Sequence, residues 1–73
     1  MSRREYEQRG EPLNEQERDR LRAMVRTVGE AAAYEAMGLS RTSVMRALAG
    51  LPVRKATAFC IRDALRSWKG VAA

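Results

Sequence analysis

Three residues, Gly38-Leu39-Ser40, stand between two segments that read as short helices, 30–37 and 41–49. A connection that short, with a glycine in it, makes the two helices cross steeply. Gly38 can take the left-handed backbone needed after a helix end, and Ser40 can cap the helix that follows. The remainder of the chain has to close around this pair, and 73 residues provide for one domain with one small core.

Two further helices are expected. Asn14 offers an N-cap with Glu17 in the capping-box position, and Glu15, Glu17 and Asp19 put negative charge on the first turn. Leu21, Met24, Val25 and Val28 then recur at helical spacing, which predicts a helix over about 14–28 closed by Gly29. After Gly50, Leu51-Pro52 turns the chain into a last helix over about 53–69. Its apolar stripe runs through Val53, Ala56, Cys60 or Ile61, Ala64 or Leu65, and Trp68. No run alternates apolar and polar with β-branched residues, so no strand is expected. Twelve alanines against four aromatic residues favour closely approaching helices. The predicted fold is all-α, a bundle of four helices (14–28, 30–37, 41–49, 53–69) preceded by a charged, flexible arm over 1–12. The domain itself then covers 13–73.

The net charge of +5 is unevenly distributed. Residues 1–20 carry five arginines against six acids, whereas from Arg41 onward seven basic residues face only Asp63. A positive field in one half attracts a polyanion, nucleic acid or an anionic surface. Twelve of the 14 basic residues are arginine, whose planar fork suits bidentate contacts to phosphate and guanine. No apolar run approaches 18 residues and the start, Met1-Ser2-Arg3-Arg4-Glu5, lacks a signal peptide's apolar stretch, so the expected location is cytoplasmic. The single Cys60 excludes an internal disulfide and a cysteine-clustered metal site. With no histidine, no serine beside a plausible base and no Gly-rich phosphate loop, neither catalysis nor a cofactor is expected. A chain this small, burying only about 60% of its unfolded surface, has little room for an active-site cavity in any case.

The stretch from Met37 to Gly50, MGLSRTSVMRALAG, resembles the turn and recognition helix of lambda-repressor-like and lac-repressor-like DNA-binding domains. The small or apolar positions of that helix-turn-helix pattern fall on Ala33, Met37, Leu39, Val44 and Ala47. Two positions depart from it. Tyr34 stands where the family places alanine for close helix contact. Glu30 and Ala31 stand where a glutamine or threonine often donates to phosphate. The resemblance covers about residues 29–69. It implies that the third helix enters the major groove by its N-terminal end.

On that implication Arg41, Thr42, Met45 and Arg46 contact bases, because Val44, Ala47 and Leu48 face inward. Ser40 and Ser43 at the helix entry, with Arg54, Lys55 and Thr57 at the start of the fourth helix, contact phosphate. Arg62, Arg66 and Lys69 sit toward the other end of that helix, where its dipole favours cations. Cys60 reads as a core residue, Tyr34 as a packing residue, and Phe59 and Trp68 as core or dimer contacts. A monomer reads too few base pairs for specificity in a genome. The expected partner is therefore a palindromic double-stranded operator, bound by a homodimer joined through Trp68 and Val71 or through the first helix. The expected role is a repressor or autoregulator of the kind found in phages, plasmids and mobile elements, with no small-molecule effector. Two other functions remain open at this point: a helical protein-interaction module of antitoxin or anti-factor type, and a non-specific nucleoid-binding protein.

Overall fold

The computed structural model describes residues 10–68. Four helices follow one another: α1 (Glu15–Val28), α2 (Glu30–Met37), α3 (Arg41–Leu48) and α4 (Lys55–Ser67). The described residues contain no strand, and none of their helices is long and apolar enough to cross a membrane. The protein is all-α.

Local chemistry sets most of the helix ends. The Asn14 side chain accepts from the Glu17 amide at 2.7 Å while the Glu17 carboxylate accepts from the Asn14 amide at 2.9 Å, a complete capping box. Gly29, at φ 93°, ends α1 by donating to the Val25 carbonyl and opens α2 by accepting from the Ala33 amide, so a single residue makes the corner. At the end of α2, Gly38 is left-handed (φ 69°, ψ 28°) and donates to Glu35. The Leu39 amide reaches back to the Tyr34 carbonyl at 3.1 Å. This pair of bonds is a Schellman motif, and Leu39 and Tyr34, its flanking apolar residues, both pack against the core. The same two bonds recur at the end of α3, from Gly50 to Ala47 and from Leu51 to Arg46.

Every helix supplies the core. Leu21 and Met24 come from α1, Ala33 and Met37 from α2, Val44 and Ala47 from α3, and Ala58, Ile61 and Leu65 from α4. Among the described residues no polar or charged side chain is buried. α1 packs on all three other helices, and α2 packs on both α3 and α4. Tyr34 is half-buried and accommodated at the edge of this core.

The last helix differs from the sequence expectation. It starts at Lys55, not at Val53, because Val53 is extended and exchanges backbone hydrogen bonds with Glu11 at 3.1 and 3.2 Å. Its inward face is Ala58, Ile61 and Leu65, while Ala56 points to solvent, Cys60 is half-buried and Phe59 is 64% exposed. Cys60 is thus not a core residue, and neither is Phe59. Val28, the end of the α1 stripe, is likewise exposed.

The Glu11–Val53 pairing straps the segment before α1 to the α3–α4 connection and carries Leu13 into the core, where it is 1% exposed. Residues 10–12 therefore have a defined conformation; the rest of the expected arm, 1–9, lies outside the described residues. Arg62 bridges the same region, with its guanidinium 2.7 Å from Glu17 and 3.6 Å from Glu11. Its role is this ion pair more than relief of the helix dipole. At the far end of α4, Arg20 donates to the Leu65 and Trp68 carbonyls at 3.0 and 3.2 Å, taking up groups that a helix end leaves without partners.

Candidate nucleic-acid interface

Helical periodicity divides α3 into two faces. Val44 and Ala47 are fully buried and Leu48 is half-buried against the core. Thr42, Met45, Arg46 and Ala49 are exposed and follow at i, i+3, i+4 and i+7, one outward stripe. Arg41, the first residue of α3, is exposed beside them. Met45 keeps 48% of its surface accessible, high for a large apolar side chain in a protein whose other methionines in the described residues are buried. The position that sequence reading missed is Ala49. The helix ends at Leu48, one residue short of the expected 41–49, and Ala49 is its exposed C-cap residue, on the same side as the outward stripe.

The entrance to α3 is tied down by two hydroxyls. Ser40 caps the helix by accepting from the Ser43 amide at 3.2 Å, and its hydroxyl donates to the Ser43 Oγ, also at 3.2 Å. Ser40 is exposed and Ser43 half-buried. At the other end of the helix, the Arg18 guanidinium lies beside Gly50 while donating to the Leu13 carbonyl at 2.7 Å. A cation is thereby held against the C-terminal end of α3, where the helix dipole is negative. No sequence signal links Arg18 to Gly50, because the contact depends on how α1 packs on α3.

α4 begins without a side-chain cap. Arg54 occupies the N-cap position, and its carbonyl accepts from Ala58 at 2.9 Å. The amides of Lys55, Ala56 and Thr57 form the first turn, with Arg54 and Lys55 exposed and Thr57 half-buried. A helix start with no side-chain N-cap bond and basic side chains beside it suits an anionic oxygen.

Several arginines lack an ion pair among the described residues: Arg41, Arg46 and Arg54 here, and Arg18, Arg20 and Arg26 on α1. The ion pairs among the described residues are Arg22 with Asp19, Arg66 with Asp63, and Arg62 with Glu11 and Glu17, all on or beside α1 and α4. Hydrogen bonding to Arg62 holds the Glu17 carboxyl below its ordinary value of 4.5 despite opposing desolvation, and the same bond raises Arg62. Arg41, Arg46 and Arg54 have no such partner among the described residues.

Of the two expected dimer residues, only Trp68 falls among the described residues. Trp68 is half-buried against the core, with the Arg20 guanidinium 5.9 Å from its ring centroid, and Val71 lies outside the described residues. The described residues contain no group of three or more His, Cys, Asp or Glu side chains able to hold a metal ion. Comparison with protein-family models, curated proteins and solved structures finds no match to this chain.

Proposed function

We propose that the protein is a sequence-specific double-stranded DNA-binding regulator, a repressor or autoregulator that acts as a homodimer on an inverted repeat. α2, the Gly38 turn and α3 form its helix-turn-helix, and α3 enters the major groove. The observation that carries the reading is the outward stripe of α3. Arg41, Thr42, Met45 and Arg46 are exposed, neither arginine has an ion-pair partner among the described residues, and the helix that bears them is anchored by its buried opposite face.

In this reading Arg41 and Arg46 each offer two donors to guanine O6 and N7, Thr42 hydrogen-bonds a base edge, and Met45 touches a thymine methyl. Ser40, Ser43, Arg54, Lys55 and Thr57 hold phosphates on either side of the reading helix, supplying affinity and register without sequence choice. The protein works in the cytoplasm, where its DNA lies, and needs no cofactor.

The test is selection of bound sequences from random duplex DNA at about 150 mM salt, near physiological screening. A palindromic motif supports the dimeric regulator. Retention of DNA with no enriched motif replaces it with non-specific nucleoid binding, and no retention at all leaves a protein-interaction module.

A further inference from the structure

Met45 differs from the other methionines of the described residues in being open to solvent. It keeps 48% of its surface accessible, whereas Met24 and Met37 sit in the core at 4% and 5%. Met1 lies outside the described residues. An oxidant has to reach the sulfur, so the exposed thioether is the one that reacts first.

The surroundings of Met45 make that reaction consequential. It lies on the outward stripe of α3 between Thr42 and Arg46, and Arg41 stands four residues earlier, about one helical turn away. Neither arginine has an ion-pair partner among the described residues. A peroxide delivers one oxygen atom to the Met45 Sδ. An S–O bond forms, the O–O bond breaks, sulfur loses two electrons and the peroxide leaves as water. The apolar thioether has become a sulfoxide, polar and a hydrogen-bond acceptor. The fold is untouched, because Met45 is not part of the core cluster. The stripe is not. A sulfoxide is a poor match for a thymine methyl and meets the neighbouring O4, itself an acceptor, without a donor. It also offers the Arg41 guanidinium a partner in competition with a guanine edge.

We propose that Met45 is a modification site, oxidised by peroxide while the core methionines are spared, and that its sulfoxide switches off reading by α3. A dithiol reductant resets it, removing the oxygen as water and becoming a disulfide. The selectivity of the modification stands on exposure; only its effect on DNA rests on the DNA-binding reading above.

The experiment treats the full chain with hydrogen peroxide and takes two readouts. Each of the four methionines falls in its own tryptic peptide, so mass spectrometry follows them separately. Met45 is expected to oxidise at least about tenfold faster than Met24 and Met37, with the helical circular dichroism unchanged at the dose that converts it. Fluorescence anisotropy on the duplex recovered by selection then compares the protein before and after treatment. Wild type is expected to bind at least about tenfold more weakly once oxidised, and to recover under methionine sulfoxide reductase with a dithiol. Met45→Leu, measured against its own untreated affinity, is expected not to respond. Met24 or Met37 oxidising as fast as Met45, an oxidised wild type that binds as before, or a Met45→Leu protein that loses binding as wild type does overturns the proposal. The two readings fail separately. Untreated protein that retains no duplex fails the DNA reading and takes the switch with it, whereas equal binding before and after oxidation fails the switch alone.

Discussion

Gly10 packs directly under Val53: a Cβ built on Gly10 would collide with the Val53 carbonyl oxygen and carbon, and its φ of 49° is left-handed. Both obstacles are backbone, so no side-chain rotation relieves them. The contact sits one residue from the Glu11–Val53 hydrogen bonds and leads into buried Leu13.

Gly10→Ala is therefore expected to release the strap and cost about 2–4 kcal/mol, a large share of the stability of so small a domain. In a domain of this size that lowers the melting temperature by more than about 8 °C. Thermal unfolding followed by circular dichroism measures it. A loss below about 0.5 kcal/mol would mean the strap adds little to the fold.

Gly38→Ala makes an informative contrast. Gly38 is also left-handed, at φ 69°, but nothing lies within 4 Å of a Cβ placed there. Its cost is conformational only, about 1 kcal/mol. Gly38→Asn should cost less, since asparagine visits this region more readily. Equal losses for Gly38→Ala and Gly10→Ala in parallel denaturation would contradict the assignment of a steric clash to one and of backbone strain alone to the other.

The Glu17 carboxylate joins the α1 cap to Arg62 on α4, and hydrogen bonding to Arg62 lowers its pKa from 4.5. A group whose folded pKa is depressed contributes stability above its unfolded value and loses it as the pH falls through the folded one. The wild type should accordingly weaken as pH drops below 4.5. Glu17→Ala is expected to cost about 1 kcal/mol at pH 7, chiefly as a lost cap partner, and to flatten that acid limb. Denaturant titrations at pH 7 and at an acidic pH decide it: an identical Glu17→Ala deficit at both shows that the carboxylate's charge contributes nothing.

Arg46→Ala and Arg54→Ala should behave differently toward a selected operator. Arg46, on the outward stripe, is assigned to a base, so its loss should cost about 1–3 kcal/mol and relax preference at one position per half-site. Arg54, at the head of α4, is assigned to phosphate, so its loss should weaken all sequences alike and reduce the salt slope by about one unit. Fluorescence-anisotropy titrations on operator and scrambled duplexes, at several salt concentrations, distinguish them. Were Arg46→Ala to weaken both duplexes equally, base reading by this residue would be ruled out.

What could be read without a structure was whatever depends on neighbours within a few residues. Asn14 and Glu17 cap each other, Ser40 caps α3, and Gly29, Gly38 and Gly50 turn the backbone at helix ends, because each of these interactions closes within about one helical turn. The two faces of α3 were legible for the same reason: Val44 and Ala47 against Thr42, Met45 and Arg46 is a pattern that only one rotation of the helix satisfies.

The rotation of α4 was not legible. Ala56, Ala58, Phe59, Cys60, Ile61, Ala64 and Leu65 place apolar groups on most of its circumference, leaving Cys60 or Ile61 and Ala64 or Leu65 as equal choices. Tertiary packing resolved it. Only one face can meet α1 and α2, and turning in the larger Ile61 and Leu65 removes more apolar surface from water than Cys60 and Ala64 would. That choice is what leaves Phe59 outside. The Glu11–Val53 pairing, the Arg62–Glu17 ion pair and the Arg20 cap of α4 were equally invisible. Each joins residues far apart in the chain, and nothing local prefers those partners until the helices have packed. Local capping accounts for most helix ends, but the start of α4 follows from the tertiary pairing of Val53 with Glu11, and packing chose the rotation of α4 where its local pattern leaves two faces open.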